Sequence, residues 1–231
     1  VRKDKFMRHR RKPWSEAEMA NNKALVTNPT ENKGKWNEAF GNDNPIYVEI
    51  GCGKGGFLSE MSKLYPNINF IGMEKEDQIV AAALKKSRES GVGENIRFMV
   101  ENVANINEIF ETGEVERLYI NFCDPWRQRK KWAKRRLTHR NFLNLYEVLF
   151  GEKGGEVFMK TDNQPLFDFS LNEIADKGWR LHNISLDLHN SDYEGNVMTE
   201  YEKKFSEMGQ PIFRLEGYFN KLPDDLEKKD E

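Results

Sequence analysis

The feature that most restricts the fold of this chain is a recurring unit, a short apolar run followed by a segment with helical spacing. The runs are IYVEI (46–50), INFIGME (68–74), IRFMV (96–100), RLYINFC (117–123) and EVFMK (156–160). Between them, residues 56–65 place Phe57, Leu58, Met61 and Leu64 on one helical face, and 76–90 do the same with Ile79, Val80, Ala83 and Leu84. A weaker helix is expected near 105–111, and stronger ones over 138–150 and over 164–177, which stops at Gly178. Apolar strands alternating with helices imply a parallel sheet covered on both faces. The ending breaks this rhythm. WRLHNISLDL (179–188) alternates like a strand, a polar segment (189–200) and a short helix follow, and PIFRLEGYF (211–219) is a last strand. Two strands that close in sequence can pair antiparallel at a sheet edge. The expectation is an α/β, Rossmann-like sheet of seven strands, mostly parallel, with an antiparallel edge strand.

Three regions follow: a basic N-terminal arm with a helical extension (1–45), the α/β domain (46–222), and an acidic tail (223–231) that reads as disordered. Ser15-Glu16-Ala17-Glu18 has the form of a helix start, with Ser15 as cap and Glu18 at the capping-box position. Residues 21–45, rich in Asn, Gly and Pro, read as irregular. A hydrophobic fraction of 38% excludes a disordered or collagen-like chain. No apolar run approaches the roughly 18–20 residues of a membrane span, and no secretory signal is expected. Two cysteines, Cys52 and Cys123, make no disulfide framework, so a reducing, cytoplasmic setting is the expectation.

The net charge of −2 hides a strong separation. Residues 127–140 (RQRKKWAKRRLTHR) hold eight Lys/Arg and no acid, while 1–12 hold seven against one Asp. With these segments at +8 and +6, the other 205 residues carry −16. Each basic run read alone is equally a solvated face. Trp132 within the longer run, and Phe6 and Trp14 beside the shorter, favour a nucleic-acid partner.

In an open sheet, ligands bind beyond the strand C-termini where the strand order reverses, so the first and fourth strand ends carry most information. The first runs into Glu49-Ile50-Gly51-Cys52-Gly53-Lys54-Gly55-Gly56. Glycines there let backbone amides approach a ligand closely. Gly51, Gly53 and Gly56 also satisfy a dinucleotide G-x-G-x-x-G pattern. Glu49 argues for S-adenosylmethionine, because a carboxylate suits an ammonium or sulfonium and gains nothing from a pyrophosphate. Glu74, ending the second strand, can accept from ribose hydroxyls in either case. Asn102, after the third, can meet an adenine edge. Cys52 reads as a small filler of the turn. The fourth strand end runs into Asp124-Pro125-Trp126 and then into the basic segment. Pro125 biases Asp124 to an extended conformation; Trp126 either packs against the core or walls a base pocket.

At this point the residues FCDPW, KRRLTHRNFL (134–143), FMKTDN (158–163) and SLDLHNSDYEGNVMTEYEKKFSEMGQPIFRLE (185–216) are similar to the bacterial tRNA (guanine-N7-)-methyltransferase family. RHRRKPW (8–14) and VEIGCGKGGF (48–57) extend the resemblance over most of the chain. It implies the fold of class I S-adenosylmethionine-dependent methyltransferases and methyl transfer to N7 of a guanosine in the tRNA variable loop. It also implies cofactor contacts at Glu49, Glu74, Asn102 and Asp124, beside Gly51 and Gly53, with Asp124 as the catalytic residue. Asp162, Thr199 and Glu202 match substrate contacts. The chain departs from the family pattern in three places. Asn102 replaces a common Asp, Arg127 replaces the Pro after Asp-Pro-Trp, and the basic segment is one residue longer. Gln128, Arg129 or Lys130 therefore takes the place of a substrate-binding Lys, with Arg129 the expected residue.

Guanine N7 carries a lone pair and no proton, so the reaction needs positioning more than a strong base. The four histidines show no metal spacing, and no metal is expected. Asp187-Leu188-His189-Asn190 reads as a capped turn, and Trp36 and Trp179 as packing residues. The partner implied is tRNA, acted on by a monomer or homodimer. A NAD(P)-dependent oxidoreductase would need a proton-donating Tyr/Lys or His that the motifs do not supply. A non-catalytic RNA-binding protein on the same scaffold would not need both strand ends kept.

Overall fold

A computed structural model describes residues 13–127 and 130–223. The basic residues 1–12, Arg129 and the tail beyond residue 223 lie outside the described residues. Among the described residues eight strands form one sheet: β1 (Leu25–Val26), β2 (Ile46–Ile50), β3 (Asn69–Glu74), β4 (Ile96–Val100), β5 (Val115–Asn121), β6 (Gly155–Thr161), β7 (Arg180–Ser185) and β8 (Phe213–Phe219). Their order is β1-β4-β3-β2-β5-β6-β8-β7. Strands β1 to β6 pair in parallel, whereas β8 runs antiparallel between β6 and β7. The expected antiparallel edge is therefore a pair, with the reversed strand inside it. The eighth strand is β1, from the stretch expected to be irregular. Its two residues pair with Phe98 and Met99.

The helices are α1 (Pro13–Asn21), α2 (Trp36–Phe40), α3 (Gly56–Leu64), α4 (Asp77–Glu89), α5 (Ile106–Ile109), α6 (Arg140–Phe150), α7 (Gln164–Asp176) and α8 (Glu200–Glu207). Helix α1 is already formed at Pro13, so Ser15 is a buried helical residue and not its cap. Glu18 instead accepts from Arg88 of α4 at 3.0 Å, with Asn22 donating to its other oxygen at 2.9 Å. Helix α2 exists because Trp36 and Phe40 reach the core; the Trp36 indole donates to the Ile109 carbonyl at 3.0 Å. Local composition had hidden α2, as it had β1.

Side chains alternate across the sheet. Ile46, Val48, Ile50, Leu118, Ile120, Val157 and Met159 point into one core with α2, α5, α6 and α7. Phe70, Ile96, Phe98 and Tyr119 point into a second core with α3 and α4. Trp36 and Trp179 are buried packing residues, as expected. Over β5, β6 and β8 the second face is charged and aromatic. Arg117 pairs with Glu156 at 2.5 Å and stacks over Phe158 at 4.0 Å, and Arg214 pairs with Glu216.

The strand order reverses between β2 and β5. From β2 the chain steps outward through β3 and β4, then returns to β5 on the other side. The C-terminal ends of β2 and β5 are thus neighbours, and they carry Glu49 and Asn121.

Candidate active site

The turn after β2 is held by backbone. The amides of Gly51 and Cys52 donate to the Met73 carbonyl at 2.8 and 3.2 Å, and Gly55 N donates to the Cys52 carbonyl at 3.0 Å. Gly51 and Gly53 have φ of 73° and 54°, a region that costs a residue with a Cβ roughly 1–2 kcal/mol. A Cβ at either would meet no atom within 4 Å, so these glycines leave one side of the turn open. Gly72 differs: a Cβ there would lie 2.8 Å from the Cys52 sulfur and 2.5 Å from the Phe98 ring. Cys52 therefore fills the underside of the turn. Its burial, with Glu49 and Glu74 nearby, pushes the thiol well up.

Glu49 is 2% exposed. Its Oε1 accepts from Asn121 Nδ2 at 2.9 Å across the strand reversal, while Oε2 has no partner among the described residues. Burial pushes the carboxyl up to about 8, against the Asn121 hydrogen bond and the Lys160 charge that pull it down. An orphaned, buried acceptor is costly, and it fits a cationic ligand group that would restore the carboxylate. Glu74 accepts from the amides of Lys75 at 2.8 Å and Glu76 at 3.4 Å, which fixes its carboxylate at the end of β3. Asn102 is exposed, and its Oδ1 accepts from Ala104 N at 3.0 Å to cap a short turn.

Beyond β5 the backbone is strained. Phe122 and Trp126 have φ of 51° and 47°, where non-glycine residues cost about 1–3 kcal/mol and concentrate at functional sites. They flank Asp124, which is exposed. Trp126 is half-buried; it meets Trp132 edge-on at 6.0 Å, and the Arg135 guanidinium lies 4.8 Å from its ring centre. Arg136 donates to the Pro125 carbonyl at 3.0 Å and stacks over Phe169 at 4.4 Å. Of the two adjacent arginines, Arg136 thus fixes the backbone of the Asp-Pro-Trp turn, and Arg135 lies against its Trp126 ring.

Asp162 follows β6 and is half-buried. Thr199 and Glu202 form a reciprocal capping box on α8: Thr199 Oγ1 accepts from Glu202 N at 2.9 Å, and Glu202 Oε2 accepts from Thr199 N at 3.2 Å. Glu202 is fully buried and spends its oxygens on the protein. Lys160 of β6 donates to it at 2.5 Å, Asn196 at 2.6 Å, and His189 Nε2 lies 3.3 Å away. Neighbouring Glu200 pairs with Lys86 of α4 beside Gly56. The start of α8 is thereby laid over the glycine turn. One cleft is lined by Glu49, Gly51, Gly53, Asn121, Phe122, Thr199 and Tyr201.

Most of the expected residues therefore sit around this cleft or at the strand ends beside it. Sequence reasoning missed Asn121, Lys160 and His189. A lysine at the end of the apolar run EVFMK was the available signal for Lys160. The Asp187–Asn190 segment is a turn, as expected, but the Asp187 side chain caps no backbone amide; it accepts from Asn190 Nδ2 at 2.8 Å. No group of three or more His, Cys, Asp or Glu able to hold a metal occurs among the described residues. None of their helices is long and apolar enough to cross a membrane.

Comparison with known proteins agrees with this geometry. Residues 43–215 match the family model described as "Putative methyltransferase". The tRNA (guanine-N(7)-)-methyltransferase of Bacillus subtilis is 48% identical over 211 residues, covering 91% of this chain and 98% of the relative. The enzyme of that name from Listeria monocytogenes is 47% identical, covering 93% and 100%. Among solved structures, an antibiotic-related methyltransferase matches with a TM-score of 0.59 at 16% identity, covering 80% of this chain and 94% of its own. A 16S rRNA (adenine(1408)-N(1))-methyltransferase with cosubstrate SAM, from Catenulisporales acidiphilia, matches at 0.54 and 12%, covering 83% and 92%. At such identities the structural likeness shows the fold alone, a class I S-adenosylmethionine-dependent methyltransferase fold. The sequence relatives carry the assignment further: the chain belongs to the tRNA (guanine-N(7)-)-methyltransferase family.

Proposed function

We propose that this enzyme methylates N7 of a guanosine in the variable loop of tRNA, in the cytoplasm. The observation that carries the reading is the pairing, across one strand reversal, of a glycine turn holding an orphaned carboxylate with a strained loop presenting Asp124. S-adenosylmethionine, when bound, supplies a methyl group on a positively charged sulfur. Glu49 would hold its cationic end, Gly51 and Gly53 would admit it against the backbone, and Glu74 and Asn102 would meet its ribose and adenine.

The chain's own work is to orient the acceptor. N7 needs no base, so correct alignment can remove several kcal/mol of barrier. Asp124 is the acceptor for guanine's N1 and N2 donors, a pair adenine lacks, and it favours the cationic ring that forms. Asp162 stands on the neighbouring strand end as a second acceptor. Thr199 and Glu202 hold the α8 wall against which the base is placed. Basic residues of 127–140, Arg129 among them, would grip phosphates, as would the arm 1–12. The base must leave the tRNA core to reach the cleft. The enzyme is proposed to act as a monomer or homodimer.

The test is chemical. A tRNA transcript incubated with enzyme and S-adenosylmethionine, then treated with borohydride and aniline, is expected to break at one variable-loop guanosine, as N7-methylated sites do. Methyl incorporation without scission would place the methyl on another atom and reject the assignment.

A further inference from the structure

Guanine changes charge in this reaction. The N7 lone pair becomes the new N–C bond, the S–C bonding pair stays with sulfur, and no proton is displaced, so the purine ring gains the positive charge. We propose, resting on the N7 reading above, that the Tyr201 ring is the stacking face for the acceptor guanine. Its π-electrons would stabilise the cation that develops there.

Three observations lead to Tyr201. The ring lines the same cleft as Glu49, Gly51 and Gly53, yet it is 60% exposed. Its backbone is fixed from both sides. Glu200 is paired with Lys86 of α4, and Glu202 is buried against Lys160 of β6 and closes the capping box with Thr199. An exposed aromatic held between a surface ion pair and a buried one is prepared for a ligand more than for packing. Finally, its near-parallel neighbour is Phe122, 6.5 Å away and 21° off plane, which also stacks with Phe205 one helical turn on. Phe122 leads directly to Cys123 and Asp124, so the aromatic face and the guanine-recognising carboxylate share one short segment.

The alternative platform is Trp126, the aromatic that the sequence offered as a base-pocket wall. Its ring already carries the Arg135 guanidinium at 4.8 Å. A face occupied by one cation is a poor site for a second. Tyr201 carries no such cation among the described contacts, and the cleft it lines holds the Glu49 and Glu200 carboxylates as well as Lys54. An aromatic face attracts positive charge in the order Trp, Tyr, Phe, and an aliphatic side chain offers only area.

Tyr201→Phe and Tyr201→Leu test this, with the single-turnover rate measured at saturating tRNA and cofactor. Affinities for unmethylated and N7-methylated transcripts, and for S-adenosylhomocysteine, are measured beside it. Tyr201→Phe is expected to stay within about threefold of the parent rate, and Tyr201→Leu to fall about tenfold or more. Tyr201→Leu should also lose affinity for the methylated transcript more than for the unmethylated one, with cofactor-product affinity and thermal midpoint unchanged. A parental rate in Tyr201→Leu, or equal loss for both transcripts, would overturn the inference and leave Tyr201 a packing residue. Failure of the N7 assignment registers separately, as an absence of scission with the parent enzyme.

Discussion

At the ends of β2 and β3 the cleft is made largely of backbone, whereas at the ends of β5 and β6 it is made of side chains tied together over long distances in sequence. The first bank uses glycine conformations within a few residues, with Gly51 and Gly53 left open on one side. The second uses Lys160 to reach Glu202, 42 residues on, and Glu202 to fix the start of α8. The Asn121–Glu49 hydrogen bond and the Glu200–Lys86 pair join the banks. The difference suits their tasks. A cofactor common to many methyltransferases can be met by backbone, while a particular base in a particular RNA needs acceptors placed by a specific framework.

The comparison can be broken most sharply at Asp124. Replacing it with Asn keeps the shape and removes the charge; turnover is expected to fall about 100-fold or more. The affinity for S-adenosylhomocysteine, read by calorimetry, should fall far less. An equal fall in both would assign Asp124 to the cofactor bank. Next comes Lys160→Met, which strands the buried Glu202 carboxylate and is expected to cost about 3–5 kcal/mol in urea unfolding. The double variant Lys160→Met/Glu202→Met should recover most of that stability without recovering turnover, because α8 loses its anchor. Recovery of both would reduce the pair to a structural role.

Glu49 gives a pH signature. Its carboxyl is raised to about 8 in the folded protein against 4.5 as the ordinary value. Between those values the folded state binds more protons than the unfolded state. Stability from this group is therefore fully present below about pH 4.5 and declines as pH rises towards about 8, then stays level. Glu49→Gln should remove that slope from a series of unfolding midpoints. At pH 7, binding of a cationic cofactor should release a proton, seen in calorimetry across buffers of different ionisation enthalpy, and Glu49→Gln should abolish the release.

The smallest effects separate the paired arginines. Arg135→Gln should weaken tRNA binding and reduce the salt slope by about one with the thermal midpoint kept. Arg136→Gln should also lower the midpoint, since it loses the Pro125 carbonyl and the Phe169 face. Identical behaviour of the two in melting would remove the distinction.

The sequence was most readable where structure is local. Strand periodicity placed β2 to β8 within a few residues, and the turn after β2 was visible because glycine conformations leave a compositional trace. Ser15 misled because a capping box is a four-residue pattern and only tertiary context decides whether the helix starts there. The box that forms is Thr199–Glu202, in a segment noted for other reasons. Leu25–Val26 and Trp36–Phe40 escaped notice because their stability comes from pairing with β4 and burial of Trp36, neither of which has a local signature. The roles of Asn121 and Lys160 were hidden for the same cause, since their partners lie 72 and 42 residues away, and only the lysine ending EVFMK left a local trace.

The central claim is methyl transfer to a base nitrogen positioned between these two banks. Its most direct test uses labelled S-adenosylmethionine with two transcripts, one unmodified and one carrying 7-deazaguanosine in the variable loop. The account predicts label in the first and none in the second. Equal label in both would contradict it, because the acceptor would then be an atom other than N7 of that guanosine.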